Sequence, residues 1–213
     1  MKTNWGTDVR RPKPSRRSGL SIYMNDRKEH ANVEPEDIVG EIAIKRGIPT
    51  IISYFSRDVV KSILKKHGAA KIITATNVFA HIEDVNLLVR NITQLLEKNG
   101  VFISESHYLV SLILTNQYDT IYHEHLRFYS LTSLKYLFDK YGLTIFHAKK
   151  INTHGGSIRV YVTKNKKIKI NKAVNKILKS EKKYLNWKTF RKFKRDVIQS
   201  KINLYSILKN IKI

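Results

Sequence analysis

Between residues 33 and 163 the chain alternates between two hydrophobic rhythms. Apolar, β-branched runs at 48–52, 71–76 and 101–104 read as strands, and Val33-Glu34-Pro35 reads as the end of another. Between these runs apolar residues recur at helical spacing. Ile38, Val39, Ile42 and Ala43 predict a helix over 36–46 that Gly47 stops. Ser56 is suited to cap a helix through His67, with Val59, Val60, Ile63 and Leu64 on one face and Gly68 as its end. Val85, Leu88, Val89, Ile92, Leu95 and Leu96 predict a helix over 84–98, turned back by Asn99-Gly100. Strands that alternate with helices in this way predict a parallel sheet covered on both faces.

Residues 105–129 are less regular. A helix over 132–141 follows, ended by Gly142. Two strands at 143–150 and 157–163, joined through Thr153-His154-Gly155-Gly156, predict an antiparallel pair at the sheet edge, with the two glycines serving a tight turn. Beyond residue 165 the apolar positions from 173 to 208 predict one or two amphipathic helices. Tyr184, Trp187, Phe190 and Phe193 recur there at helical spacing and are expected on a buried face. The division expected is an irregular basic arm over 1–32, a partial α/β domain over 33–163 and a helical tail over 164–213. Within the arm only 20–24 has the character of a short strand.

Composition adds limits. A chain of 213 residues, 42% hydrophobic, is long enough for a sizeable core. With no cysteine it has no disulfide framework, no thiolate zinc or iron–sulfur site and no thiol nucleophile, which suits a reducing, cytoplasmic setting. No run approaches the roughly 18 apolar residues of a membrane span, and no apolar stretch follows the N-terminal arginines as in a secretory signal. The net charge of +23 is unevenly spread: residues 33–163 carry +3, whereas 164–213 carry +15. The tail alone therefore has the charge of a polyanion-binding surface, and the Lys/Ile/Asn surplus there also matches A/T-rich codon use. Nucleic acid is not the partner expected of the α/β domain.

In open α/β sheets ligands bind at the carboxyl ends of the strands. Those ends carry Glu34, then Thr76-Asn77 with His81, then Glu105. The irregular stretch adds Tyr118-Asp-Thr-Ile-Tyr-His-Glu-His125, a dense group of titratable side chains suited to moving protons. One short cluster without a partner set predicts no metal site.

Three motifs, Asn77-Val-Phe-Ala-His-Ile-Glu-Asp84, Tyr118 to His125 and Thr153-His-Gly-Gly-Ser-Ile-Arg-Val-Tyr161, together resemble the S-adenosylmethionine-dependent sugar C-methyltransferases, over about residues 33–205. The resemblance implies a class I methyltransferase fold, S-adenosylmethionine as cofactor and a nucleotide-linked keto-deoxysugar as substrate. It implies that His125 removes a proton beside the ketone, with Tyr122 and Glu124 orienting base and sugar. Asn77 and His81 would line the sugar pocket, and Glu34 would hold the ribose hydroxyls of the cofactor. Three departures stand out. The family's Cys-rich zinc segment is missing. The family's first strand and glycine-rich loop belong just before Val33, where residues 1–32 hold only Gly6 and Gly19. The family also continues after the tail into another α/β domain. The expectation is a chain shortened at both ends, with an incomplete Rossmann-like sheet whose activity hangs on the missing cofactor loop. The alternative is a non-catalytic interaction protein, or one that binds nucleic acid through its basic tail.

Overall fold

The computed structural model describes residues 20–24 and 30–211; most of the arm expected over 1–32 lies outside the described residues. Seven strands form one sheet: β1 (Leu20–Tyr23), β2 (His30–Glu34), β3 (Thr50–Ile52), β4 (Ala70–Thr76), β5 (Leu96–His107), β6 (Thr144–Ile151) and β7 (Ser157–Thr163). Their order is β3-β2-β1-β4-β5-β7-β6. The helices are α1 (Asp37–Lys45), α2 (Arg57–His67), α3 (Val85–Leu95), α4 (Leu109–Leu114), α5 (Leu131–Asp139), α6 (Lys172–Tyr184) and α7 (Trp187–Asn210).

The central strand takes an unusual direction. β2–β3 and β4–β5 are parallel pairs, each joined by a crossover that contains a helix. β1 is antiparallel to both of its neighbours. Only residues 24–29 separate it from β2, and a parallel crossover needs about a dozen residues or more, so the two strands pair antiparallel. The segment 20–24 thus fills the centre of the sheet with its amino end at the carboxyl ends of β2 and β4: Leu20 pairs with Val33 and with Ala75. The edge pair β6–β7 is antiparallel, as its turn predicts.

Most helix limits follow local chemistry. The Ser56 hydroxyl accepts from the Val59 N–H at 3.3 Å and caps α2, and Gly68 at φ +77° lets the chain leave it. Asp84 caps α3 by accepting from the Leu87 N–H at 2.8 Å. That helix stops at Leu95, three residues short of the predicted end, and Leu96 already begins β5. The β4–β5 register slips between Ala70 and Ile72, and a Cβ on Gly100 would stand 2.8 Å from the Ala70 carbonyl oxygen. Close strand approach at Gly100 therefore outweighs the helical pattern of 96–98.

The core lies between the sheet and its helices. Phe79, Phe102 and Phe138 are fully buried with centroids 5.8–5.9 Å apart, Phe79 stacked on Phe102 and Phe138 edge to face with both. Each such side chain contributes about 1.5–3 kcal/mol of burial. The tail divides into two unlike helices. α6 delivers Val174 and Ile177 to the same core. No residue of α7 is fully buried; of the aromatic face expected there, Tyr184 at the end of α6 packs against the core, whereas Trp187, 79% exposed, does not. α7 approaches the body along α4 and leaves Trp187 and Phe190 in solvent, packed edge to face against each other.

Candidate active site

Two regions at the carboxyl ends of the strands carry the candidate chemistry. The first is a cleft of about 410 Å3 lined by Ser21, Asn32, Glu34, Thr50, Thr76 and Asn77, among others. Glu34 ends β2, is 7% exposed, and accepts from the Glu36 N–H at 3.1 Å through Oε1. Burial pushes its carboxyl above the usual carboxylate range. Asn77 takes φ +57°, a left-handed conformation that Asn tolerates better than most residues, and its N–H donates to the Glu105 carbonyl at 2.9 Å. The structure therefore gives Asn77 the same cleft as Glu34.

The second region is a cluster of rings. His81 ends the turn of 3-10 helix Phe79–His81 that follows β4. His125 sits on the loop between α4 and α5. The two rings are 5.0 Å apart. Several backbone ties bring these distant motifs together. His81 Nδ1 donates to the Glu124 carbonyl at 2.8 Å, and the Leu126 N–H donates to the Ala80 carbonyl at 2.9 Å. Arg127 closes the seam by donating to the carbonyls of Ile82 and Glu83.

The His125 ring has a fixed tautomer. Its Nδ1 lies 2.9 Å from the Thr120 carbonyl oxygen, which only accepts, so Nδ1 carries the proton. Nε2 then holds the lone pair of the neutral ring. The Tyr122 hydroxyl stands 3.3 Å from Nε2 and donates to it, and the two rings are 4.4 Å apart. Such an imidazole is oriented to take a proton at Nε2. Glu124 meets His81 through its carbonyl, and its side chain is exposed. His123 is exposed beside Tyr122.

His107, to which the sequence assigns nothing, joins this group. It ends β5, and its ring lies 6.4 Å from that of His125. Burial lowers its pKa from the ordinary histidine value, with smaller contributions from neighbouring groups. No motif marks it; the loop that carries His125 folds back over the end of β5 and brings the two rings together. Among the described residues no group of His, Cys, Asp and Glu side chains is arranged to hold a metal ion.

The fit to a nucleoside cofactor is uneven. Glu34 offers a buried carboxylate for a ribose diol, at the strand end where such folds place one. The neighbouring strand β1 runs the opposite way, so its carboxyl end lies at the other edge, and among the described residues no glycine-rich turn reaches the cleft.

Comparison with known proteins agrees with this architecture. The family described as a methyltransferase domain matches residues 3–148, and the C-methyltransferase C-terminal domain matches residues 152–213. The C-methyltransferase NovU of Streptomyces niveus is 35% identical over 142 residues, which cover 67% of this chain and 34% of that protein. The chain thus spans about a third of the length of this curated relative. Among solved structures, a methyltransferase from Thermotoga maritima is 18% identical with a TM-score of 0.49, covering 62% of this chain and 72% of that one. One from Anabaena variabilis is 14% identical with a TM-score of 0.48, covering 62% and 66%. The sheet order, the edge hairpin and the two family matches have one reading: the chain belongs to the methyltransferase domain family, whose cofactor is S-adenosylmethionine, and continues into the C-methyltransferase C-terminal domain.

Proposed function

We propose that this domain serves S-adenosylmethionine-dependent C-methylation of a nucleotide-linked keto-sugar, with His125 as the base. The observation that carries this reading is the Thr120 carbonyl 2.9 Å from His125 Nδ1, which leaves Nε2 as the proton acceptor. When bound, S-adenosylmethionine supplies an electrophilic methyl group. Glu34 would hold its ribose hydroxyls. His125 Nε2 takes the proton from the carbon beside the ketone, and the electron pair of the broken C–H bond moves into the enolate. The Tyr122 hydroxyl, which holds the lone pair in the resting state, yields to the substrate C–H and is then free to donate to the enolate oxygen. His81, whose ring faces His125, adds a second imidazole to the wall of this site.

Two measurements test the reading. Titration calorimetry with S-adenosylmethionine should detect binding; no heat at millimolar ligand overturns the assignment of a working enzyme. Exchange of deuterium into the carbon beside the ketone should occur with the wild-type chain. His125→Gln should slow this exchange by about 10²–10⁴-fold while leaving cofactor affinity nearly unchanged. Retained exchange removes His125 as the base.

A further inference from the structure

Gln117 is the most constrained side chain of the loop that carries His125. Its amide nitrogen donates to the Gly155 carbonyl at 2.8 Å and to the Thr115 hydroxyl. The Thr115 hydroxyl in turn donates to the Ser111 carbonyl at 2.8 Å, so its lone pairs are what Gln117 meets. With both amide hydrogens placed, Gln117 Oε1 faces His107 Nε2 at 2.9 Å and accepts its proton. His107 therefore carries hydrogen on Nε2, and burial favours its neutral form. The side chain is clamped between the end of β5 and the β6–β7 turn.

The turn is shaped to receive it. Gly155 lies at φ +72°, and a Cβ there would stand 2.3 Å from Gln117 Oε1. Any larger residue would lift the amide off the Gly155 carbonyl. A Cβ on Gly156 would likewise collide with Ser111, at 2.5 Å from its Oγ. The glycine pair is a seat for the 111–117 segment as well as a tight turn.

The backbone of Gln117 passes the clamp on. Its carbonyl accepts from the Thr120 hydroxyl at 2.8 Å and from the Thr120 N–H at 3.3 Å. The carbonyl of that same Thr120 receives the His125 Nδ1 proton. An unbroken series of hydrogen bonds thus runs from the β6–β7 turn and His107, through Gln117 and Thr120, to His125.

We propose that Gln117, held by His107 and Gly155, is a positioning residue that fixes the tautomer of His125 by fixing the Thr120 carbonyl. The proposal rests on His125 acting as the base, but its test is read without cofactor or substrate. In protein carrying 15N-labelled histidine, the wild-type His125 ring should show a protonated Nδ1 and an unprotonated Nε2. In Gln117→Ala the ring should become a mixture in which Nε2 is mainly protonated, as in free imidazole. His107→Phe, which keeps a ring beside His125 but donates nothing, should cause the same change. His107→Gln, whose amide nitrogen can donate to Gln117, should restore the wild-type signature. An unchanged His125 tautomer in folded Gln117→Ala and His107→Phe overturns the proposal, as does a wild-type ring already protonated at Nε2. If the ring responds as expected but His125→Gln still exchanges deuterium, the positioning stands and the catalytic reading falls.

Discussion

At the scale of single residues, the cofactor role proposed for Glu34 runs against stability. Burial raises its pKa, the Glu36 N–H opposes this, and the Glu36 charge adds a smaller upward push. A carboxyl with a raised pKa binds its proton more tightly folded than unfolded. Folding is therefore weakened as pH rises from the unfolded value of 4.5 through the folded one, and the ionised group is a cost at pH 7. Glu34→Gln should melt higher than wild type at pH 7, with the difference fading as the pH falls below about 4. The same change should weaken S-adenosylmethionine about ten- to a hundredfold in calorimetry, the loss expected for a hydrogen bond to a charged group. Equal melting at pH 7 would show that the carboxylate is better solvated than its burial implies. Glu34 was visible in the sequence from its place at a strand end, and Asn77, His81, Tyr122 and His125 because each stands in a motif. His107 and Gln117 were not, because a lone histidine or glutamine carries no spacing signal. Their roles exist only after β5 and the β6–β7 turn have come together.

At the scale of elements, capped helices were the easiest to read. α2 runs from its Ser56 cap to its Gly68 exit as its sequence predicts. α4 has only six residues, too few to show a period, and passed as irregular chain. One buried tie between elements was also hidden. Glu181 of α6 is fully buried and accepts from the Leu131 N–H at 2.6 Å, the Thr132 N–H at 2.8 Å, the Thr132 hydroxyl at 2.6 Å and the Tyr108 hydroxyl at 2.9 Å. A carboxylate from the tail thus sits at the N-terminus of α5, where the helix dipole favours it. Burial, together with the Glu181 charge, pushes the Tyr108 hydroxyl pKa well above its usual value, so the phenol remains a donor. In a sequence, Glu181 is one acid among lysines and looks solvated. Glu181→Ala leaves buried donors unmatched at about 1 kcal/mol or more each, so urea unfolding should show a loss of about 3 kcal/mol or more. A loss below 1 kcal/mol would mean that water replaces the carboxylate without penalty.

For the whole molecule, the two tail helices have different standing. Removing residues 187–213 deletes no buried side chain of the described part, so the melting temperature should fall by no more than a few degrees. Removing 172–213 takes Val174, Ile177 and Glu181 from the core and should abolish cooperative unfolding. Calorimetric melting of the two shortened chains checks both outcomes; a large drop on the shorter deletion would assign α7 a structural role. The α/β class was legible because apolar β-branched runs alternate with segments of helical period. The direction of β1 was not, since a four-residue strand reads the same either way. The length of its link to β2 decides the matter.

That reversed central strand gives the sheet a seam. β2, β3 and α1 reach the rest of the sheet through only four residues of β1, paired on each side. α1 leaves Ile38, Ile42 and Ile44 exposed, so the apolar burial that holds the seam comes from Leu20, Ile22, Ala31 and Val33 on the strands themselves. Amide protons of β2 and β3 should then exchange with solvent through a local opening that leaves the phenylalanine core closed. Glu34 belongs to the loose lobe and His125 to the firm one. If Glu34 holds a nucleoside as proposed, the ligand ties this lobe to the rest of the sheet, so ligand affinity and slowed amide exchange become two readings of one closure.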